Sequence, residues 1–344
     1  MSNSGMAFER APAFVRRAAF RIAAGEGVLG KLADAVRYRY NAAEIPALPP
    51  VAESPIRLLI GPANSAGQGF QWARAVNETV REAQALSMYG IPGSNFSSKA
   101  DLHVPAAVYQ RSPAWHEAFE AFLASQTHVV WESCLPLLGR RYGSDPAREI
   151  ERLTQGGVHG ALMFHGSDIR PTLLHAEQNP WSPHRLVATP HLEELVQRNM
   201  ALVVATGLPQ FVSTPDLLQW LPSARWIPVV VDSRRWEAAR SSHVHDRPLV
   251  VLHAPSDRWL KGTEFIEPTL RRLESEGLIE YRPVVGVPHN EMPGLYARAD
   301  VVLDQFAIGS YGVAACEAMA AGKLVMGHID ARVRDRVRVL AGHE

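Results

Sequence analysis

The chain has 344 residues, 47% of them apolar, which suffices for two domains with sizeable cores. Its 35 basic and 35 acidic residues cancel, so no overall field draws it to a polyanion and no nucleic-acid partner is expected. Two cysteines, Cys134 and Cys316, exclude a disulfide framework and a structural zinc site, and no apolar run reaches the roughly eighteen residues that a membrane span needs.

The N-terminus lacks the apolar core and cleavage site of a signal peptide, which with the cysteine usage predicts a cytoplasmic protein. Lysine stands only at 31, 99, 261 and 323. Generic positive charge is carried by arginine, so each lysine hints at a site that wants a compact ammonium.

Residues 8–42 read as one or two amphipathic helices, with Phe14, Ala18 and Ile22 on one stripe and Arg16, Arg17 and Arg21 around it. The stripe either packs on the protein's own body or lies on an anionic membrane surface, in which case the protein touches the inner membrane face. "IPALPPVAESP", Ile45 to Pro55, breaks any helix and reads as a linker. Then the pattern becomes strand (Ile56–Ile60), glycine-rich loop (Gly61–Gly69) and helix (Phe70–Glu82). Further strands are predicted at His128–Trp131, Gly160–Phe164, Ala201–Ala205 and Trp226–Val231, with helices such as Pro113–Leu123 and His191–Gln197 between them.

After the polar segment 232–248 the alternation restarts. Strand Leu249–His253 leads to helix Thr263–Ser275, strand Glu280–Val285 to helix Asn290–Ala299, strand Asp300–Asp304 to the helix bearing Glu317, and strand Leu324–Met326 to the tail. Alternation of this kind implies parallel strands with crossover helices, so the chain reads as two α/β units with a cleft between them. Ligands of such sheets bind beyond the carboxyl ends of the strands.

Four strand-end loops can carry chemistry. Gly67 and Gly69 give G-x-G, but position 72 is Trp and no acidic residue ends the next strand, so a dinucleotide fingerprint is absent; the loop is either a tight turn or a backbone that approaches a ligand. "FHGSDIR" places His165 and Asp168 in one turn with Arg170. There His165 can share a proton and Asp168 accept one, or Asp168 caps the turn and pairs with Arg170. "HAPSDRWLKG" sets Arg258 and Lys261 before a helix start, where they either hold phosphates or form a solvated pair.

The fourth, "GSYGVAACEAMAAGK" (309–323), runs a glycine loop into an apolar helix with one carboxylate, Glu317. Amides at Ser310, Tyr311 and Gly312 can hold an anion. Glu317 has no partner on its own stripe, so either the stripe is solvent-exposed or a partner comes from outside the helix; a buried carboxylate needs donors, and a pair of sugar hydroxyls supplies them.

These residues resemble the GT-B glycosyltransferases, in particular the large retaining family 4, whose C-terminal lobe carries E-x7-E followed by A-M-A-x-G-x-P-V. "EAMAAGKLV" (317–325) matches the second Glu and the run after it, with Leu324 in place of Pro. "KGTEFI" resembles the family's Lys-Gly segment, "MPGLYARADVVLDQF" the approach to its diphosphate loop, and "HGSDIR" an N-lobe strand end of actinobacterial-type members. The resemblance spans roughly residues 55–328.

It implies two Rossmann-like lobes with an interlobe cleft: an N-terminal helical segment and linker over 1–48, an acceptor lobe over 49–235, and a nucleotide-sugar lobe over 236–344. It also implies transfer of a sugar, with retention and without cofactor or metal, from a nucleotide-diphospho-sugar to a glycan, lipid or small-molecule acceptor. Glu317 would bind ribose hydroxyls, Ser310 to Gly312 the diphosphate and Lys261 the phosphates; the arginine the family sets at position 256 is Ser256 here, so either Arg258 takes that role or no residue does. Gly67 and Gly69 would close on the donor, and His165 would touch the transferred sugar, with Asp168 beside it at the catalytic centre.

The chain departs from the family at Gly309, where the first Glu is usual, and in a C-terminal lobe that reads as short, with sixteen residues after His328. Two alternatives stand beside transfer: a sugar-nucleotide epimerase or hydrolase on the same fold, and a catalytically weak sugar-nucleotide or glycan-binding protein.

Overall fold

The computed structural model describes residues 38–91, 99–237, 239–240 and 247–342. The helices expected over 8–42 lie almost wholly outside the described residues.

The first sheet has seven parallel strands in the order β3-β2-β1-β4-β5-β6-β7. They are β1 (Ile56–Gly61), β2 (Ala83–Tyr89), β3 (Leu102–His103), β4 (His128–Glu132), β5 (His159–Phe164), β6 (Gln210–Val212) and β7 (Arg225–Trp226). Helices α1 (Gln68–Thr79), α2 (Ala106–Arg111), α3 (Pro113–Ala124), α4 (Pro146–Gln155), α5 (Thr172–Gln178) and α6 (Pro190–Thr206) connect them. The strands are apolar on both sides because successive residues alternate faces. Leu59, Val129, Trp131, Leu162 and Phe164 join one core with Phe119 and Leu123 of α3, whereas Ile60 and Met163 join another with Trp72 and Ala73 of α1.

The second sheet has four parallel strands ordered β11-β10-β8-β9. In chain order the second half runs α7 (Ser233–Glu237), β8 (Leu249–His253), α8 (Arg258–Lys261), α9 (Thr263–Ser275), β9 (Ile279–Pro283), α10 (Met292–Tyr296), β10 (Val301–Leu303), α11 (Val313–Ala320), β11 (Leu324–Met326) and α12 (Ala331–Leu340). Leu252 and Val302 pack with Trp236, Tyr296 and Ala318; Val251, Val301 and Leu303 pack with Leu270 of α9.

Two expected strands differ. Residues 201–205 continue α6, which places Val196, Asn199 and Val203 on one buried face at helical spacing; the real strand, β6, follows Gly207, whose φ of 58° ends the helix. Of the strand expected over 226–231 only the start pairs with β6. Beyond it side chains of α1 take over from a sheet neighbour: Trp72 Nε1 donates to the Pro228 carbonyl (3.0 Å), Gln68 Nε2 donates to the Val230 carbonyl (3.2 Å), and the Val230 amide donates to Gln68 Oε1 (2.9 Å). The tail, read as short, forms α12, which returns to pack on the Pro215–Gln219 turn of the first half, with Arg332 Nη1 donating to Gln178 Oε1 (3.1 Å). No helix among the described residues is long and apolar enough to cross a membrane.

Candidate functional site

Each sheet reverses its strand order once, between β1 and β4 in the first and between β8 and β10 in the second. At such a reversal neighbouring loops part and leave a crevice beyond the carboxyl ends. The singled-out residues gather at these two places.

In the second sheet, α8 follows β8 and presents Lys261; Asp304 closes β10; and Gly312 precedes α11. Lys261 Nζ lies 2.5 Å from Asp304 Oδ1, and the Gly312 amide donates to Asp304 Oδ2 at 2.6 Å. An ammonium and a helix-start amide therefore converge on one anion, as the phosphate expectation requires, but here the anion is the chain's own buried Asp304. Ser310 is buried as well, its carbonyl taken by Gln305 Nε2, and Tyr311 is half-buried, its phenol pKa raised chiefly by burial.

Arg258 is not part of this seat: its guanidinium pairs with Glu267 of α9 at 2.5 Å, the solvated-pair alternative. Glu317 is buried, so the alternative of a solvent-exposed stripe falls, and it has a protein partner. His289 Nε2, from the turn before α10, lies 2.6 Å from Glu317 Oε1. Arg235 holds this histidine in turn, donating to its carbonyl at 2.8 Å. The partner thus comes from outside the helix, as one of the two alternatives had it, and it is the chain's own His289, 28 residues upstream, rather than a ligand hydroxyl.

In the first sheet the loop after β1 is turned by left-handed residues, Asn64 (φ 43°), Ala66 (φ 50°) and Gly67 (φ 75°). Gly67 is the N-cap of α1, and Gly69 lies in its first turn, where a Cβ would come within 3.2 Å of Asn64 Oδ1 and 3.5 Å of Glu132 Oε2. His165 follows β5, its Nε2 3.0 Å from Glu132 Oε1, its ring stacked on Trp72 with centroids 5.8 Å apart. Burial opposes protonation of His165, but the hydrogen bond and charge of Glu132, with the charge of Asp168, raise its pKa above the ordinary value.

Asp168 follows the capping alternative. It accepts from the amides of His165 (3.0 Å) and Gly166 (2.7 Å) and from Ser133 Oγ (2.6 Å), so it anchors the turn rather than facing a reactant. Arg170 does not pair with it. Its Nη2 instead reaches Asp216 at 2.6 Å, and although burial opposes ionisation, the Arg170 charge holds that carboxyl below its usual range.

The two halves of the chain meet at a seam. Asn179 Nδ2 donates to the Ala307 carbonyl (2.8 Å), His175 Nε2 to the Ile308 carbonyl (3.2 Å), and Trp181 and His184 meet Phe265 and Trp259 edge to face. The loop between β10 and α11 therefore rests on the segment that follows β5. Among the described residues no group of three His, Cys, Asp or Glu is arranged to hold a metal ion.

No protein-family model matches the chain, and no curated protein matches it. Solved structures do. The chain is similar to sucrose-phosphate synthase from Thermosynechococcus elongatus, with 15% identity, a TM-score of 0.46, and coverage of 83% of this chain and 89% of that one. It is similar to an alpha-glucosyltransferase in complex with UDP and a 13-mer DNA containing a HMU base, with 9% identity, a TM-score of 0.45 and 79% of each chain covered. It is also similar to the glycotransferase of kitacinnamycin, with 13% identity, a TM-score of 0.38, and coverage of 83% and 89%.

Three site residues escaped sequence reasoning. Glu132 and Asp304 both close apolar strands, and a carboxylate at a strand's carboxyl end was the available signal. His289 gave none, because its importance lies in a partner on another element.

Proposed function

We propose that the protein is a GT-B glycosyltransferase that moves a sugar from a nucleotide-diphospho-sugar to an acceptor hydroxyl, with retention. The observation that carries this reading is the convergence of Lys261 Nζ and the Gly312 amide on one anion at the start of α11, with the buried Glu317 a turn and a half farther on. In this reading the donor diphosphate takes the negative position beside Lys261, with Asp304 yielding part of its hold, and the ribose hydroxyls donate to Glu317, kept in place by His289. His165 faces the sugar from the other lobe. Catalysis then consists of stabilising the departing diphosphate with fixed charges and amides rather than of forming a covalent enzyme intermediate.

The reading is tested by calorimetry of Lys261→Ala and Glu317→Ala against UDP- and GDP-sugars. Each loses a charge-assisted hydrogen bond, so nucleotide-sugar affinity should fall about tenfold or more in both. Unaltered affinity in both variants would overturn the site. A second reading, a sugar-nucleotide-binding protein of little catalytic power, is favoured by Gly309, which stands where the resembling family sets the Glu that contacts the donor sugar. Tight binding without turnover across an acceptor panel would support it.

A further inference from the structure

Glu132 is completely buried at the carboxyl end of β4, beside the strand-order reversal of the first sheet. Its two oxygens serve different elements. Oε2 accepts from the Asn64 amide at 2.6 Å, in the left-handed turn that opens the glycine loop. Oε1 meets His165 Nε2 at 3.0 Å. A carboxylate withdrawn this far from water survives only where its oxygens are satisfied, and here the satisfaction ties a loop after β1 to an imidazole after β5.

We infer that Glu132 is a positioning residue: it clamps the glycine loop through Asn64 and fixes the orientation of His165, leaving Nδ1 as the ring nitrogen free to meet a ligand. The inference rests on the sugar-nucleotide reading for the ligand's identity but not for the clamp itself. Trp72 stacks on the ring and blocks one face, so the imidazole cannot swing without breaking both contacts. The groups that act on it are Glu132 and Asp168, both acidic, and the cation of its own turn, Arg170, is itself committed to Asp216. With Nε2 committed to the Glu132 carboxylate, Nε2 carries the proton of the neutral ring, so Nδ1 accepts while the ring is neutral and donates once it is protonated.

The test uses the full chain without substrate. The His165 resonance of histidine-labelled protein, assigned by its loss in His165→Asn, is titrated in wild type and in Glu132→Gln. Exchange of the Asn64 amide is followed in wild type and in Glu132→Ala. Wild-type His165 should titrate above the ordinary histidine value and fall on Glu132→Gln, which keeps the shape and an acceptor oxygen for Asn64. The Asn64 amide should exchange about tenfold faster or more in Glu132→Ala, the loss of one charge-assisted hydrogen bond. A His165 midpoint that Glu132→Gln leaves unmoved, or equal Asn64 exchange in wild type and Glu132→Ala, would overturn the proposal. Neither readout involves a nucleotide sugar, so failure of sugar-nucleotide binding would remove the proposed function and leave the clamp standing.

Discussion

Gly312 shows how narrowly the anion seat is built. A Cβ there would approach Lys261 Nζ to 2.9 Å and Asp304 Oδ1 to 3.3 Å, while its φ of −116° is open to any residue. Gly312→Ala should therefore fold normally, changing stability by no more than about 1 kcal/mol, since the obstructing atom is the free end of a flexible side chain. Under the proposed function it should displace the ammonium and weaken nucleotide-sugar binding about tenfold by calorimetry. Three positions earlier, Gly309 differs in kind. Its φ of 78° is left-handed, so Gly309→Ala should cost about 1–2 kcal/mol in urea unfolding through backbone strain alone. The glycines were visible in the sequence as a loop; which one guards the lysine was not.

At the scale of elements, α3 illustrates a helix whose sequence and structure agree from end to end. Pro113 sits at its first position, Ser112 accepts from the Trp115 amide at 3.2 Å, and Trp115, Phe119, Phe122 and Leu123 supply the core. Ser112 is itself fully buried, so Ser112→Ala leaves that amide without its cap and should lower unfolding free energy by about 1 kcal/mol in urea titration. Where expectation and structure part, the cause is local ambiguity. "ALVVA" at 201–205 has the β-branched composition of a strand, and only the continuation of α6's buried face assigns it to a helix. "WIPVV" at 226–230 pairs with β6 only at its start and then gives the backbone groups of Pro228 and Val230 to Trp72 and Gln68.

At the scale of the molecule, the seam between the lobes depends on uncharged histidines. Burial first, and then the nearby Arg170 charge, lowers the pKa of His175 and of His184 from 6.5 to about 4. The unfolded chain therefore binds more protons than the folded one between these values. The stability contributed by the neutral rings is complete above pH 6.5 and is lost as pH falls toward 4. The thermal midpoint should drop across that window, and it should drop less steeply in His175→Gln, which removes one titrating ring while keeping a donor for the Ile308 carbonyl. An equal slope in the two proteins would show that His175 is not the acid-sensitive group of the seam.

The sequence by itself determined the α/β class, the division into two sheets and the strand-end loops, because alternation of apolar runs, helical periodicity and glycine breaks act over neighbouring residues. It also marked Lys261, Gly312, Glu317 and His165 as residues at strand ends or in an apolar helix. Tertiary structure alone decided their partners. Lys261 and the Gly312 amide meet Asp304, Glu317 meets His289, and His165 meets Glu132 across separations of 28 to 43 residues for the side-chain pairs. Buried charge must be matched wherever the fold brings a partner within reach, and reach is set by strand order, which a linear pattern does not carry.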